Sequence, residues 1–188
     1  MTTKLEKTAN YLKNLVKGFQ VAFGQPAPEE PTKLTVERVT NRGIWTAEEI
    51  VEMIQVSSKD NKEFLTHYNL LLDGLDKAKD KSLNMPFNES ETMVNQVDAV
   101  IDQLYFVLGT IVEMGIDPVP FFEIVSNANM GKLHDGKVVK NELGKVVKPE
   151  NWERDFAPEP RLREELKKQI NAALLRKAGA LQTKELNI

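Results

Sequence analysis

The stretch from Asn88 to Gly115 is the feature that most constrains how this chain can fold. It contains neither Lys nor Arg, and its apolar residues recur at helical spacing. They form a broad stripe along one predicted helix: Val94, Val97, Ile101, Leu104, Tyr105, Leu108, Ile111 and Val112. So broad a stripe needs cover from other helices, because exposed apolar surface is unfavourable in water. We therefore predict that this helix is buried at the centre of a helical bundle.

Five further segments have the spacing of amphipathic helices. We predict these helices over about 3–21, 35–56, 62–80, 117–129 and 161–178. Gly43 interrupts the second of them, and Thr46 with Glu49 has capping-box spacing, so this helix is expected to begin at Thr35 or to restart at Thr46. After Met130, an Asp-Gly pair and short β-branched runs indicate small turns or a two-stranded ribbon.

These segments predict an all-α fold. We expect a bundle of about five to six helices with a small irregular or β-ribbon element near the C-terminus. The 188 residues would form a single domain, with a core over about 19–130 and a C-terminal appendage over about 131–188.

The composition excludes several classes of protein. The chain has no cysteine and two histidines, which excludes disulfides, thiolate zinc sites and His-rich metal sites. A formal net charge of -3 gives no bulk cationic field for nucleic acid. No apolar run is long enough to span a bilayer, and the N-terminal segment lacks a signal-type apolar stretch. We therefore expect a cytoplasmic protein with neither a nucleic-acid nor a membrane partner.

Three carboxylates are grouped on the second predicted helix. Glu48 and Glu52 lie one turn apart on one face, and Glu49 lies beside them. Hard cations such as Mg²⁺ prefer oxygen ligands of this kind. The alternative is an ordinary solvated face, in which Glu49 closes a capping box with Thr46.

Two more carboxylates lie one turn apart on the apolar helix, Asp98 and Asp102. Asp98 falls in an otherwise apolar row, and a buried carboxylate needs a cation as its partner. If the second and fourth predicted helices pack antiparallel, all five carboxylates face each other and a divalent cation is the natural counter-charge. The alternative is salt bridges to Arg38, Arg42 or a C-terminal lysine.

A basic segment follows the fifth predicted helix. Its lysines could bind a triphosphate or belong to a solvated loop: Lys132, Lys137, Lys140, Lys145 and Lys148. Asn127 and Asn129 could bind base, sugar or phosphate, or cap the end of the helix. The aromatic residues Phe23, Trp45 and Trp152 could stack on a base or pack in the core. Neither histidine has neighbours at metal-ligand or catalytic spacing.

Taken together, four of these patterns resemble one family in the same order along the chain. Residues 48–52 match the Glu-Glu-x-x-Glu motif of the all-α NTP pyrophosphohydrolase superfamily, which includes the MazG-like and phosphoribosyl-ATP pyrophosphatase-like proteins. Residues 23–26, 98–106 and 127–132 also resemble the corresponding segments of members of this superfamily. One position departs: where the second metal motif has Glu three residues before Asp102, this chain has Ala99, and Asp98 lies one residue earlier.

The resemblance implies a Mg²⁺-dependent hydrolase, with Mn²⁺ as a possible substitute, that converts NTP or dNTP to NMP and pyrophosphate. It implies metal ligands at Glu48, Glu49, Glu52, Asp98 and Asp102, with Glu48 or Glu49 also acting as general base. Asn127, Asn129 and Lys132, which lie in the matching residues 127–132, would bind the nucleotide, and the protein would form a homodimer or homotetramer. Lys148 lies outside that match and is predicted as a further substrate-binding residue because flexible ammonium groups suit a triphosphate. The alternatives are a phosphoribosyl-ATP pyrophosphatase, a catalytically inactive nucleotide- or metal-binding module, and a purely structural protein.

Overall fold

The computed structural model describes the backbone of residues 4–142 and 144–185 and the side chains of residues 10–142 and 144–178. Within these residues the chain forms seven α-helices and a short 3-10 helix at Glu89–Glu91, which confirms the all-α prediction. The helices are α1 (Lys4–Ala22), α2 (Val36–Ser57), α3 (Asn61–Leu83), α4 (Thr92–Met114), α5 (Pro118–Met130), α6 (Trp152–Phe156) and α7 (Glu159–Glu185).

The helix ends follow from local hydrogen bonding. Thr35, Asp60 and Asp117 are N-caps, and the side chain of each accepts a hydrogen bond from a backbone N–H in the first turn of its helix. Gly115 ends α4 with φ +67°, a conformation that favours glycine. Around it, the N–H of Gly115 donates to the carbonyl of Val112 at 3.0 Å, which satisfies one of the last free carbonyls.

The expected interruption of the second helix at Gly43 is wrong. α2 runs unbroken from its cap at Thr35, and the Thr46 hydroxyl donates to the carbonyl of Arg42 at 3.0 Å, as a residue inside a helix does. One glycine inside a long helix destabilises the helix by only about 1 kcal/mol relative to alanine, and the other residues of α2 offset this cost. The capping-box role considered for Glu49 therefore does not apply.

The contacts of the chain divide it into two compact units. The first comprises residues up to 29 together with those from 105 onward, and in it α5 packs against α1 and α7. The hydroxyl of Tyr11 donates to Glu123 at 2.7 Å, which joins α1 to α5. The side chain of Gln169 on α7 makes two hydrogen bonds to the backbone of Asp117, at 2.8 and 3.1 Å, and so holds the start of α5.

The second unit comprises residues 30–104, in which α2 packs along α3. The backbone N–H and carbonyl of Leu34 pair with the side chain of Gln96 at 2.9 and 3.0 Å. These bonds join the segment before α2 to the second turn of α4. The single-domain prediction is not decided by this division and stays a prediction.

The burial predicted for the apolar helix is wrong for the single chain. Along α4 most of the apolar side chains are exposed, among them Val97, Ile101 and Leu104, at 51%, 55% and 52%. The buried apolar residues of the described chain lie elsewhere, at Phe23, Ala128 and Trp152. Helical spacing correctly predicted the helix, but within the described part of the chain the other helices do not cover it.

The segment between α5 and α6 is irregular, which is one of the two alternatives predicted for it, the other being a β-ribbon. Among the residues described there, isolated β-bridges pair His134 with Lys137 and Lys140 with Val146. The first encloses a tight turn in which Asp135 and Gly136 both have positive φ, the arrangement of a type I′ turn.

In the described part of the chain no single helix is long and apolar enough to cross a membrane. The bent pair formed by residues 89–114 and 118–130 meets the length and composition requirement together, with a turn of 115° between its parts.

Candidate active site

Trp152, the first residue of α6, is the structural centre of one group of predicted site residues. Its side chain is 6% exposed, and its indole N–H donates to the backbone carbonyl of Ala128 in α5 at 2.8 Å. Gly131, the residue directly after α5, lies against Phe156 at the end of α6, and a Cβ at this position would overlap the Phe156 ring. Core packing, one of the two roles predicted for Trp152, is the one observed.

Lys132 follows directly after the end of α5 and is partly buried. Its ammonium group donates to the side-chain carbonyl oxygen of Asn129 at 2.7 Å. Burial, together with the positive charge of Lys148, lowers the pKa of Lys132 below its ordinary value. Asn129 is a neutral acceptor, so it satisfies a hydrogen bond but does not compensate the charge.

Lys148 approaches the same region from the irregular segment. Its Nζ atom lies 3.6 Å from the centroid of the Trp152 ring, a cation–π contact, and 3.0 Å from a carboxylate oxygen of Glu153. The positive charge of Lys148 contributes to the lowered pKa of Lys132, so the two ammonium groups repel each other. We call this pair the two-lysine site. Three N–H donors on each ammonium make the pair suited to phosphate oxygens.

Other predicted members of this group lie outside the two-lysine site. The side chain of Asn127 is exposed, and its backbone carbonyl accepts from the N–H of Gly131 at 2.9 Å at the helix end. Lys137, Lys140 and Lys145 are exposed on the irregular segment, and the choice between a phosphate-binding role and a solvated loop stays open for them.

Sequence reasoning missed Glu153. The only signal for it is its position one residue after Trp152 and five after Lys148. Such a spacing has no standard meaning in an irregular segment, so the contact could be found only from the structure.

The predicted metal ligands lie on α2 and α4. Glu48, Glu49 and Glu52 are exposed on α2 and are called here the α2 carboxylates; Asp98 and Asp102 are exposed on α4 and are called the α4 aspartates. None of the five makes a hydrogen bond or an ion pair with a residue that the structure describes. Their oxygen donors suit Mg²⁺, but within the described residues no three acidic or histidine side chains are gathered for a metal ion.

The antiparallel packing of the second and fourth helices that would bring these carboxylates together is not found among the described residues. The hydrogen bonds between Leu34 and Gln96 join the beginnings of α2 and α4, whereas antiparallel neighbours would join a beginning to an end. The α2 carboxylates and the α4 aspartates therefore remain separate sets in the described chain.

Arg38 and Arg42, considered as salt-bridge partners for the carboxylates, instead flank Trp45. Each guanidinium carbon lies 5.6 Å from the centroid of the indole ring, and Trp45 itself is 45% exposed. Phe23, which was also considered for base stacking, is buried and stacks on Phe19 with ring centroids 4.1 Å apart.

Comparison with known proteins identifies the class to which this all-helical chain belongs. Residues 16–129 match the family model of phosphoribosyl-ATP pyrophosphohydrolase. Among solved structures, the chain is similar to a "putative NTP pyrophosphohydrolase" from Exiguobacterium sp. 255-15, with 41% identity and a TM-score of 0.79 over 86% of this chain and 97% of the other. No curated protein matches the chain.

The family model spans more than half of the chain and includes the α2 carboxylates and the α4 aspartates. The chain therefore belongs to the phosphoribosyl-ATP pyrophosphohydrolase family and is a pyrophosphohydrolase, a hydrolase acting on phosphoanhydrides. The superfamily resemblance drawn from the sequence motifs is confirmed.

Proposed function

We propose that this protein hydrolyses NTP or dNTP to NMP and pyrophosphate in the cytoplasm, with Mg²⁺ or Mn²⁺ as its cofactor. Lys132 and Lys148 would bind the phosphate chain, with Asn129 holding Lys132 and Asn127 available to the nucleoside. Glu48 or Glu49 would accept the proton of the attacking water.

The observation that carries the proposal is the two-lysine site. Two ammonium groups repel each other there, and one of them is partly buried beside a neutral amide. Lys148 is paired with the exposed carboxylate of Glu153, but among the described residues no anion pairs with Lys132. The charge of Lys132 is therefore unfavourable without an anion, because burial removes the water that would otherwise solvate it. A phosphate chain supplies several negative oxygens at once and relieves both penalties, and its negative charge is greatest in the pyrophosphate leaving group.

The metal requirement is supported by the chemistry of the carboxylates. A bound divalent cation neutralises phosphate oxygens and lowers the pKa of water. The α2 carboxylates lack ion partners among the described residues, and like charges on one helix face are destabilising without a counter-ion. We propose that they and the α4 aspartates form the metal site once a further chain is in place.

A homodimer or homotetramer would supply that chain. The apolar side chains of α4 are exposed over much of the helix, including Val100, Leu104, Val107 and Leu108. Large contiguous apolar surfaces mark protein interfaces, and burying them contributes about 25 cal/mol per Å². A second copy of α4 or α2 is the expected cover, because an interface between identical chains repeats the same surface on both.

A second candidate function is hydrolysis of phosphoribosyl-ATP, favoured by the match of residues 16–129 to the phosphoribosyl-ATP pyrophosphohydrolase family. This substrate carries the same triphosphate chain, so the two-lysine site serves it equally. The two candidates differ only in what must be bound beyond the phosphates.

The deciding experiment incubates the full-length protein with a panel of NTPs, dNTPs and phosphoribosyl-ATP, with and without Mg²⁺, and identifies the products. Release of NMP and pyrophosphate only with Mg²⁺ supports the proposal, whereas cleavage of phosphoribosyl-ATP alone selects the second candidate. If no substrate is cleaved but Mg²⁺ or a nucleotide raises the melting temperature, the protein is an inactive binding module.

The metal part has its own control. Asp98→Asn should remove most of the increase in melting temperature caused by Mg²⁺, because a neutral amide is a weaker ligand than a carboxylate. Asp73→Asn on α3 removes an exposed carboxylate outside both sets and should leave the increase intact. An equal increase in both variants would exclude Asp98 as an important ligand.

A further inference from the structure

Lys148 has two neighbours that the proposed reaction does not use, the indole ring of Trp152 and the carboxylate of Glu153. We propose that Trp152 positions Lys148 for the phosphate chain, and that Glu153 competes with that chain by holding the Lys148 ammonium until a polyphosphate displaces it. This inference rests on the proposed function, because it describes how the same two-lysine site binds the phosphate chain.

The positioning step depends on how firmly the indole is held. The Trp152 N–H is hydrogen-bonded to Ala128, which lies four residues before Lys132 along the chain. The ring is therefore attached to the helix end that carries the other lysine. The cation–π contact places the Lys148 ammonium over this ring, so Lys148 is held on a side chain that is itself hydrogen-bonded to the last turn of α5, in spite of the repulsion from Lys132.

The competing step depends on a weak ion pair. The Lys148 and Glu153 side chains are 46% and 73% exposed, and exposed pairs of this kind contribute little to stability. The bond is thus easily replaced by an anion that reaches both lysines at once. A triphosphate chain carries several negative oxygens along its length, whereas a monophosphate carries fewer and gains less from displacing Glu153.

The two lysines differ in this respect. Lys132 is hydrogen-bonded to the neutral Asn129, whereas Lys148 is paired with an anion. Before substrate binds, only one of the two positive charges is therefore neutralised. Because Glu153 follows Trp152 directly, it moves with the residue that positions Lys148 and stays within reach of it.

The first test compares binding of inorganic tripolyphosphate to the full-length protein and to Glu153→Gln by isothermal titration calorimetry. Removing the competing charge should tighten binding about two- to fivefold, the range that an exposed ion pair supports. KM for the nucleotide should fall by a similar factor while kcat stays unchanged. Glu150→Gln, which removes an exposed carboxylate three residues earlier, is the matched control and should change neither value.

A double-mutant cycle tests whether Glu153 acts through Lys148. In a Lys148→Ala background, Glu153→Gln should no longer affect binding of tripolyphosphate, and Lys148→Arg should restore the effect because it keeps the charge. A tightening that persists in the Lys148→Ala background would overturn the proposal.

The positioning role has a spectroscopic test that leaves Trp152 in place. In a Trp45→Phe protein Trp152 is the one remaining tryptophan, so tripolyphosphate should change its fluorescence when the contacts of Lys148 change. The further substitution Lys148→Ala should abolish this response. A response of equal size without Lys148 would contradict the positioning role.

These outcomes separate the inference from the proposed function. Unchanged tripolyphosphate binding in Glu153→Gln, with normal release of pyrophosphate by the wild type, overturns the inference alone. Absence of NTP hydrolysis overturns the proposed function, while the binding comparison, which needs no turnover, still decides whether Glu153 competes for Lys148.

Discussion

The end of α5 has the lysines expected to bind phosphate, and the exposed face of α2 has carboxylates expected to bind the metal ion. The two regions differ in how many contacts the same chain provides to them. At the end of α5, Trp152 is buried and hydrogen-bonded, and the two-lysine site is assembled around it. On α2, Trp45 is 45% exposed and the carboxylates have no ion partner among the described residues. The residues that surround Trp152 all belong to the same chain, so one chain is enough to form that site. The α2 carboxylates have no such surroundings, and we expect a second copy of the chain to complete their site.

The largest expected effect lies on the α2 side of this comparison. Glu49→Gln should lower turnover about a thousandfold or more, equivalent to roughly 4 kcal/mol, because an amide neither binds a cation as a carboxylate does nor accepts a proton. The fold should be preserved, since Glu49 caps no helix.

The measurement is steady-state release of pyrophosphate, with circular dichroism to verify folding. Glu113→Gln, an exposed carboxylate on α4 outside the predicted ligand set, serves as control. Full activity in Glu49→Gln would exclude Glu49 from the mechanism. It would also weaken the proposal that the α2 carboxylates bind the metal ion.

The next effect compares the two tryptophans. Trp152→Ala should destabilise the protein by about 3–5 kcal/mol, because it removes a large buried ring and leaves the Ala128 carbonyl without its donor. Trp45→Ala should cost less than about 1 kcal/mol if Trp45 is as exposed in solution as in the single chain. Urea unfolding of both variants measures the difference. Equal losses would mean that a second copy buries Trp45.

A third prediction concerns the apolar surface of α4. Leu104→Glu should weaken self-association by about 2 kcal/mol or more, roughly thirtyfold in the dissociation constant, since it places an unpaired charge in an apolar interface. Gln103→Glu adds the same charge at a neighbouring polar position and is the matched control. Analytical ultracentrifugation gives both constants, and a wild type that is monomeric at micromolar concentration would refute the predicted oligomer.

The smallest expected effect belongs to Lys132. Its pKa is lowered by burial and by the charge of Lys148, and the charged form is the one that binds phosphate. Affinity for tripolyphosphate should therefore fall as pH rises, beginning below the pH of about 10.4 at which an ordinary lysine loses its proton. At the pH where half of Lys132 is deprotonated, the loss should be about twofold, because only half the molecules bind.

The control for this pH dependence is Lys132→Arg, whose guanidinium stays charged throughout. Titration of the probe itself affects both proteins equally and cancels in their comparison. Parallel pH profiles would show that Lys132 does not contribute its charge to binding.

Much of the helical structure could be predicted from the sequence, because the signals are local. Asp117 followed by Pro118 correctly predicted the start of α5, and Gly115 the end of α4. The wrong interruption at Gly43 arose from the same local signals: Thr46 and Glu49 fit a capping box only when the chain is not already helical before them.

The candidate site could be predicted only in part. Lys132 was predicted as a phosphate ligand from its residue type and the family resemblance, and Lys148 from its residue type. In the structure the positive charge of Lys148 contributes to the lowered pKa of Lys132, and the role of both as phosphate ligands stays a prediction. Glu153 was missed because its link to Lys148 depends on how an irregular segment returns to α5. The predicted carboxylate cluster is not assembled in the described chain, since spacing along a helix places residues on a face without specifying what packs against that face.

The sequence by itself determined that the chain is helical, where most helices begin and end, and which family it resembles, because caps, periodicity and motifs depend on neighbours within a few residues. The tertiary structure alone decided which surfaces are covered. The strongly apolar α4 is largely exposed and the less conspicuous Trp152 is buried, because burial depends on which distant segment supplies the contact. For Trp152 that segment is α5 of the same chain, and for α4 we expect it to be a second copy.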